Sequence, residues 1–402
     1  MEDYLAFQSS RNIAVSYKEQ SAIGTAESGS GSTGFRANSG GLNLTKDPIN
    51  SGENRRDGMT TRGRHGSRSV SGNYVADLSL GSFDALVAAL FWGTFDSALV
   101  ITEATSGGPT EITTTTSEIV GNSGSWITVG LRVGDVIRLT GHATAGNNSR
   151  NLRITGLTAT TITVAETLTL NAVADTAFTI TRPKKVIQGT TKKAFTFEET
   201  ETDIDGSEIF EWCKVSSMTL EMQPNGMATV NFGIVGRNMT TAEDGSSPSL
   251  TSPTYTTSQG LTAVEAKILL GSTPVTDLTG VTLNFDRRAA GNPVVGSVLT
   301  PDVFDNTLQI SGSITGLRQD FTRTTAFLNE TDLSLHLLFA ENESEPSDFI
   351  SVVIPYLTLA SSSKSELGQD GPRTQSLDLL IGSDPRGGAY SAAMAVWQTS
   401  AA

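Results

Sequence analysis

MTLEMQPNGMATVNF, residues 218 to 232, contains the most readable strand pairing of the chain. A two-residue Asn-Gly turn would mix apolar and polar side chains on both faces of this hairpin, against the alternation of a half-buried sheet. A three-residue loop over residues 224–226, with a type I turn and a left-handed Gly226, separates the two kinds of side chain. It pairs Met218 with Phe232, Leu220 with Val230, Met222 with Ala228, Thr219 with Asn231, and Glu221 with Thr229. The hairpin therefore has an apolar face for a core and a polar, slightly acidic face for water.

The elements around this hairpin occur twice along the chain in the same order. Segments 41–56, 70–74, 192–222 and 218–236 correspond to segments 280–296, 310–314, 333–360 and 376–397, respectively. The last correspondence is of two hairpins. Such a correspondence in constant order indicates a duplicated domain. Each copy also has a short helix, which in the first copy is predicted over 82–93 from its apolar spacing, with Ser82 capping its start and Gly93 its end.

The two copies have similar lengths only if roughly residues 101–183 are an insertion. That segment contains β-branched runs separated by Gly and Asn turns, which predicts a small independent β-barrel or sandwich. We therefore expect a first domain at 1–100 plus 184–245, an inserted β domain at 101–183 that decorates the surface, and a second domain at 246–402. The expected fold class is mainly β.

Composition narrows the functional classes. The 402 residues carry a formal net charge of −14, which disfavours binding along DNA, RNA or an anionic membrane. One cysteine, Cys213, excludes an intrachain disulfide, and the start of the chain lacks the pattern of a signal peptide, so we expect a protein made in a reducing cytoplasm. The longest apolar stretch, 85–93, is too short to cross a bilayer, and no membrane insertion is expected.

The sequence contains no spacing of residues that is typical of a catalytic or metal site. The three histidines, His65, His142 and His336, are scattered over the first copy, the insertion and the second copy, and they suggest neither a catalytic set nor a metal site. His336 is interpreted as a strand residue. We expect no enzyme activity, no metal and no cofactor.

Four segments carry a resemblance to a known family: RNIAVSYKEQSAIGTA (11–26), GLNLTKDPINSGENRRDG (41–58), SVSGNYVADLSLGSFDALVAALFWG (69–93) and VSSMTLEMQPNGMATVNFGIVGR (215–237). In this order they resemble the tail tube (major tail) proteins of long, non-contractile tailed bacteriophages, over nearly all of the chain outside 101–183. The insertion departs from the minimal pattern of that family.

The resemblance implies two tandem tail-tube-type β-sandwich or half-barrel domains, each with a short helix. It implies a virion protein, made and assembled in the bacterial host cytoplasm, that assembles with itself into stacked rings around a channel for the genome. With two copies per chain, a trimeric, pseudo-sixfold ring is favoured over a hexamer. The implied partners are other copies, the tape measure protein, phage DNA that passes without sequence-specific binding, and the tail terminator and tail tip proteins. The side chains expected to face the lumen are Thr219, Glu221, Gln223, Thr229 and Asn231.

The run RRDGMTTRGRHGSRSVSG, residues 55 to 72, is basic although the chain is acidic. We place it in the long connection between the first two major strands of the first copy, a loop that in the family tends to reach the next ring. Its expected role is pairing with carboxylates of another subunit or ring; a solvated loop and lumenal DNA contact are the alternatives. The candidate contact residues are Arg55, Arg56, Arg62, Arg64 and Arg68 with Glu198, Glu199, Glu201, Asp203 and Asp205.

Two other classes of protein stay open at the level of sequence. A β-rich adhesion module that binds host surface glycans through the inserted domain would have the same composition and would bind sugar without polymerising. A polysaccharide-degrading β enzyme would need two carboxylates in one cleft, and such pairs meet only in space.

Overall fold

The computed structural model describes residues 7–243, 245–368 and 370–401, and they form a mainly antiparallel β protein, as expected. A first set of elements surrounds the hairpin of residues 218–232. It consists of β1 (Ile13–Gln20), β2 (Thr33–Phe35), β3 (Ser39–Ile49), β4 (Arg64–Asp77), α1 (Asp84–Phe91), and then β13 (Lys185–Ile187), β14 (Ala194–Glu201), a 3-10 helix (Thr202–Ile204), β15 (Gly206–Met222), β16 (Thr229–Gly236) and β17 (Asn238–Glu243).

Between α1 and β13 the chain forms an eight-stranded sheet of its own, with the strand order β11-β6-β7-β10-β9-β8-β12-β5. Its elements are β5 (Leu99–Thr102), β6 (Ile112–Thr114), β7 (Glu118–Gly121), β8 (Val136–Thr140), a 3-10 helix (Ala145–Asn147), β9 (Leu152–Leu157), β10 (Thr161–Val164), β11 (Asn171–Asp175) and β12 (Thr179–Arg182). Fourteen buried apolar residues, including Trp126 and Phe178, give this sheet a core of its own. Its first and last strands pair with each other, so that Leu99 lies opposite Arg182.

The second set follows β17. It consists of β18 (Ala266–Leu270), β19 (Thr273–Val275), β20 (Leu278–Asp286), β21 (Ala290–Gly291), β22 (Val303–Phe304), β23 (Gln309–Leu317), α2 (Thr322–Leu328), β24 (Leu333–Ala340), β25 (Phe349–Leu359), β26 (Ser363–Lys364), β27 (Thr374–Ile381) and β28 (Val396–Thr399).

The two sets have the same strand order. In the first set β3 pairs with β4, β4 with β16, and β16 with β15. In the second set β20 pairs with β23, β23 with β27, and β27 with β25. Because β15 also pairs with β20, the sets join into one continuous sheet, β3-β4-β16-β15-β20-β23-β27, which we call the polar sheet. The division into domains that we infer from the sequence stays a prediction.

Strand β15 belongs to two layers. Residues 206–211 pair with β14 and β17, whereas residues 214–222 pair with β16 and β20. The strand bends at Trp212, which has a φ of 51° at a break in the β14–β15 register. A bulge of this kind redirects a strand by increasing its local twist. The layers then enclose a core rich in aromatic residues, among them Tyr17, Phe197 and Phe232.

The hairpin register is confirmed over residues 218–221 and 229–232, but the turn is not of the predicted type. The N–H of Gly226 donates to the carbonyl of Gln223, and the residue with a left-handed φ, 56°, is Asn225 instead of Gly226. Proline at the second position and a positive φ at the third are the requirements of a type II turn.

Two further local expectations are wrong. Helix α1 starts after Phe83 without a side-chain cap, because the Ser82 hydroxyl bonds to Ser79 and Thr256. The last of the four repeated segments is not a hairpin, since β27 pairs with β23 and β25 while β28 pairs with β13 and β25. The alternation along 376–381 does predict the strand, but the sequence does not indicate its distant partners.

Candidate functional site

One face of the polar sheet consists of short polar side chains in cross-strand rows. This polar face follows from strand alternation, because successive side chains of a strand point to opposite faces. The buried apolar residues of β15 and β16 are Met218, Leu220, Val230 and Phe232, so their neighbours lie on the opposite face. Of the five side chains predicted from the sequence, Glu221 and Gln223 are exposed and Thr219, Thr229 and Asn231 are half-buried. Four of them, all except Gln223, lie in the two paired strands and extend from one face of the hairpin.

The first row of this face crosses six strands and carries three carboxylates. Backbone pairing places the following residues side by side: Asp77, Thr229, Glu221, Thr282, Ser313 and Asp378. Asp77 accepts a hydrogen bond of 2.7 Å from Asn38 Nδ2, and Asp378 accepts one of 2.6 Å from the Ser361 hydroxyl. The row is an acidic line across the sheet.

The second row is neutral and internally bonded. It runs through Val75, Asn231, Thr219, Asn284, Ser311 and Leu380. Asn73 Nδ2 donates to Asn231 Oδ1 at 3.0 Å, and the Thr219 hydroxyl donates to Asn284 Oδ1 at 2.8 Å. Such side-chain hydrogen bonds hold the polar groups in place. Arg288, which follows β20, already bonds to Asp286 and Gln309, so it is little available to an anion.

Sequence reasoning missed Asp77, Thr282, Asn284, Ser313 and Asp378. Their own alternation was readable, for example in SVSGNYVAD at 69–77. What the sequence does not contain is the pairing of β4 with β16 and of β15 with β20, which brings these residues beside Glu221.

The basic run lies where we expect it, on the connection between β3 and β4 and on β4 itself. Arg56, Arg62 and Arg64 are exposed. Arg55 pairs with Asp57 at 2.6 Å, and the hydrogen bond from Arg55 is the main cause that lowers the pKa of that carboxyl. Arg68 is half-buried and donates to Asn238 Oδ1 at 3.3 Å within the same chain.

The acidic candidates differ in availability. The prediction that Glu198 contacts another subunit is wrong. Its side chain is fully buried and accepts hydrogen bonds from the Ser207 hydroxyl and from the N–H groups of Ser249 and Leu250. Asp203 accepts from the Ser9 N–H and from Asn12 Nδ2, and these bonds lower its pKa. Glu201 is half-buried, and Asp205 is exposed with a φ of 48°.

Glu199 is also engaged within the chain. One of its oxygens accepts from the Tyr74 hydroxyl at 2.5 Å and from the Leu42 N–H at 2.9 Å, at the edge strand β3. Burial, and then the charge of Glu199, raise the pKa of Tyr74 well above its ordinary value. The carboxylate therefore blocks one edge N–H of β3 in the isolated chain.

His336 is a buried strand residue, as interpreted from the sequence. One of its ring nitrogens, Nε2, lies 2.8 Å from the Ser351 hydroxyl, and burial lowers the pKa of the imidazole to about 3. Within the described residues, no group of three or more His, Cys, Asp and Glu is arranged to hold a metal ion. Neither α-helix of those residues has the length and apolarity that a membrane crossing requires.

Comparison with known proteins matches the chain to a protein family. No curated protein matches the sequence significantly. The family model described as "Phage tail tube protein" matches residues 10–379, which include the whole first set, the eight-stranded sheet and the second set as far as β27. The chain therefore belongs to the phage tail tube protein family, a family of structural proteins of the virion tail.

Proposed function

We propose that copies of this chain assemble into closed, stacked rings, and that the polar sheet lines the channel through which the genome passes into the host. The observation that carries this proposal is the polar face, on which Thr, Ser, Asn and carboxylate side chains form the first row over six strands and the second row between Val75 and Leu380. DNA binding depends on cationic groups that release counterions from phosphate. An acidic, hydrogen-bonded wall repels the backbone, so DNA slides along it without being held.

Two unpaired edges of the polar sheet support ring closure. In the described part of the chain, β3 pairs only with β4. The far edge of the sheet is formed by the end of β25, residues 357–359, and by the two-residue strand β26, which both pair with β27. Exposed edges of this kind are templates for pairing with another chain. If residues 357–364 join β3 of the next copy, both edges of the polar sheet are covered and the sheet closes into a barrel. The Leu42 N–H must then exchange its bond to Glu199 for one to the neighbour.

The equal strand order of the two sets supports a trimer. Each set contributes four strands in the order that its counterpart repeats, so three chains place six such units around the ring. The junction between units inside the chain, β15 with β20, is the template for the junction between chains. Closed cyclic symmetry of this kind requires one surface to fit a different surface of the next copy.

The exposed arginines of the β3–β4 connection are assigned to contacts between rings. Arg56, Arg62 and Arg64 have no ion pair in the described structure of one chain, which leaves them available to carboxylates such as Glu201 and Asp205 of another copy. Tape measure protein and DNA are the proposed occupants of the channel, and terminator and tip proteins are the proposed partners at the ends of the tube. Assembly in the host cytoplasm belongs to the same proposal.

Electron microscopy of the purified protein over a range of concentrations and salt tests the proposal. We expect rings and tubes with an open channel, with three repeats of the whole chain and six of the half-unit. Dispersed monomers at the highest concentration would overturn it and would favour the adhesion module, for which glycan binding by residues 99–182 is the readout. Tubes with six whole chains per ring would support the proposed tube but contradict the proposed trimer.

A further inference from the structure

Inside one chain, the second set covers the C-terminal end of helix α1. Arg287, just after β20, donates from Nε to the Leu90 carbonyl at 2.7 Å, and its guanidinium lies 3.8 Å from the centre of the Trp92 ring. Phe285 on β20 packs against Phe91 with ring centres 5.7 Å apart. A carbonyl of the last helical turn, which lacks a partner within the helix, is thereby satisfied.

Helix α2 ends in the same geometry as α1. In α1 the N–H groups of Trp92 and Gly93 donate to Ala89 and Ala88; in α2 those of Glu330 and Thr331 donate to Phe327 and Ala326. Trp92 and Glu330 both have left-handed φ angles, 51° and 49°. This pairing of bonds is a Schellman motif, and it aligns Leu90 with Leu328 and Trp92 with Glu330.

The surroundings of the two helix ends differ. Leu90 is fully buried, whereas Leu328 is 72% exposed and the structure describes no buried residue in α2. Glu330 is exposed as well. The end of α2 therefore lacks the cover that Arg287 and Phe285 give to α1.

The register identifies the residue that would provide this cover. Leu42 of β3 lies opposite Gly72 of β4, and Leu283 of β20 lies opposite Gly312 of β23, where both glycines follow a serine. Four residues further along, Lys46 occupies on β3 the place that Arg287 occupies after β20. Lys46 is exposed, and residues 7–243, 245–368 and 370–401 offer it no hydrogen bond or ion pair.

We propose that Lys46 of one copy docks on the C-terminal end of α2 of the next copy, pairing with Glu330 and donating to the Leu328 carbonyl. This inference rests on the proposed ring and assigns the residues of its junction. The two junctions use matched chemistry: arginine over tryptophan inside the chain, and lysine beside glutamate between chains. The occupant of the exposed end of α2 is thus a second copy of this chain.

Charge reversal tests the contact. The variants are Lys46→Glu, Glu330→Lys and the double variant, with Glu103→Lys as the charge control, at an exposed position after β5 that has no ion pair among the described residues. Exposed ion pairs change association by factors of up to about 5. We therefore expect each single reversal to raise the protein concentration at half-assembly about 5-fold, measured by light scattering and electron microscopy. We expect the double variant to return within about 2-fold of the wild type.

The outcomes separate this contact from the ring itself. If the wild type forms rings and both single reversals assemble like the Glu103→Lys control, the contact is wrong and the ring stands. If the singles are impaired but the double variant is not rescued, the two residues do not meet, and the contact is again wrong. If the wild type forms no rings at all, the proposed function is overturned and this inference with it.

Discussion

Arg287 Nε donates a 2.7 Å hydrogen bond to the carbonyl oxygen of Leu90, 197 positions earlier in the chain. This contact joins the end of β20 to the end of α1, and with it the second set to the first. The side chain also donates to the Asn306 carbonyl, and burial lowers the pKa of the guanidinium to about 10. The junction between the sets is thus a structural contact whose strength can be measured.

Replacing Arg287 by alanine should destabilise the fold by about 2–3 kcal/mol, because the buried Leu90 carbonyl loses its donor and Trp92 loses its stacked cation. Urea unfolding followed by fluorescence measures the change. Arg288→Ala is the matched control, since that side chain is 60% exposed, and it should change stability by less than about 0.5 kcal/mol. Equal effects of the two substitutions would show that the contact with Leu90 is unimportant for stability.

Stability should depend on pH through His336. Its folded pKa, about 3, lies below the ordinary value of 6.5, so the unfolded chain binds a proton that the folded chain does not. The stabilisation by the neutral ring is fully present above pH 6.5 and is lost as the pH falls from 6.5 toward 3, by up to about 1.4 kcal/mol per pH unit.

Comparing the free energy of unfolding of wild type and His336→Gln between pH 4 and 7 checks this. The slope should be smaller in the variant, and His65→Gln, at an exposed position, should leave it unchanged. A His336→Gln slope equal to that of the wild type would contradict the low pKa.

Reversing charge on the acidic row should impair passage of DNA more than assembly. We expect Glu221→Lys with Asp378→Lys to form tubes of normal length that retain DNA at low salt and release it as salt rises. Glu103→Lys, at an exposed position in the turn after β5, is the control for added positive charge. Measured on assembled tubes, DNA retention no greater than in the control would argue against a lumenal position of this row.

The turn at 223–226 makes a further prediction. Asn225→Ala should cost about 1 kcal/mol, since alanine tolerates a left-handed φ poorly. Gly226→Ala should cost less, because Gly226 does not have a positive φ and a Cβ there meets the Gln223 carbonyl oxygen at an ordinary 3.4 Å. Thermal unfolding of the two variants decides between this turn and the alternative with a left-handed glycine, which predicts the reverse order.

The sequence predicts local pairing better than distant pairing. The register of Met218 with Phe232 follows from alternation and loop length alone, both of which are local. Local prediction fails when a distant residue competes. The Ser82 hydroxyl does not cap α1, since it bonds to Thr256, 174 residues away. Likewise the alternation predicts that Glu221 faces water, but its row neighbours Asp77 and Asp378 belong to strands whose place in the sheet depends on the packing of the whole chain.

The pairing of Leu99 with Arg182 has a practical consequence. The chain leaves the first set and returns to it at almost one point, so the covalent connection to the eight-stranded sheet is as narrow as two neighbouring strands, roughly 5 Å apart. A compact domain whose ends lie equally close fits this connection without stretching β13 or α1, provided that it also replaces the contacts of Val136 and Arg138 with the second set. In the tube that we propose, such a graft would display enzymes or antigens at regular intervals along its length.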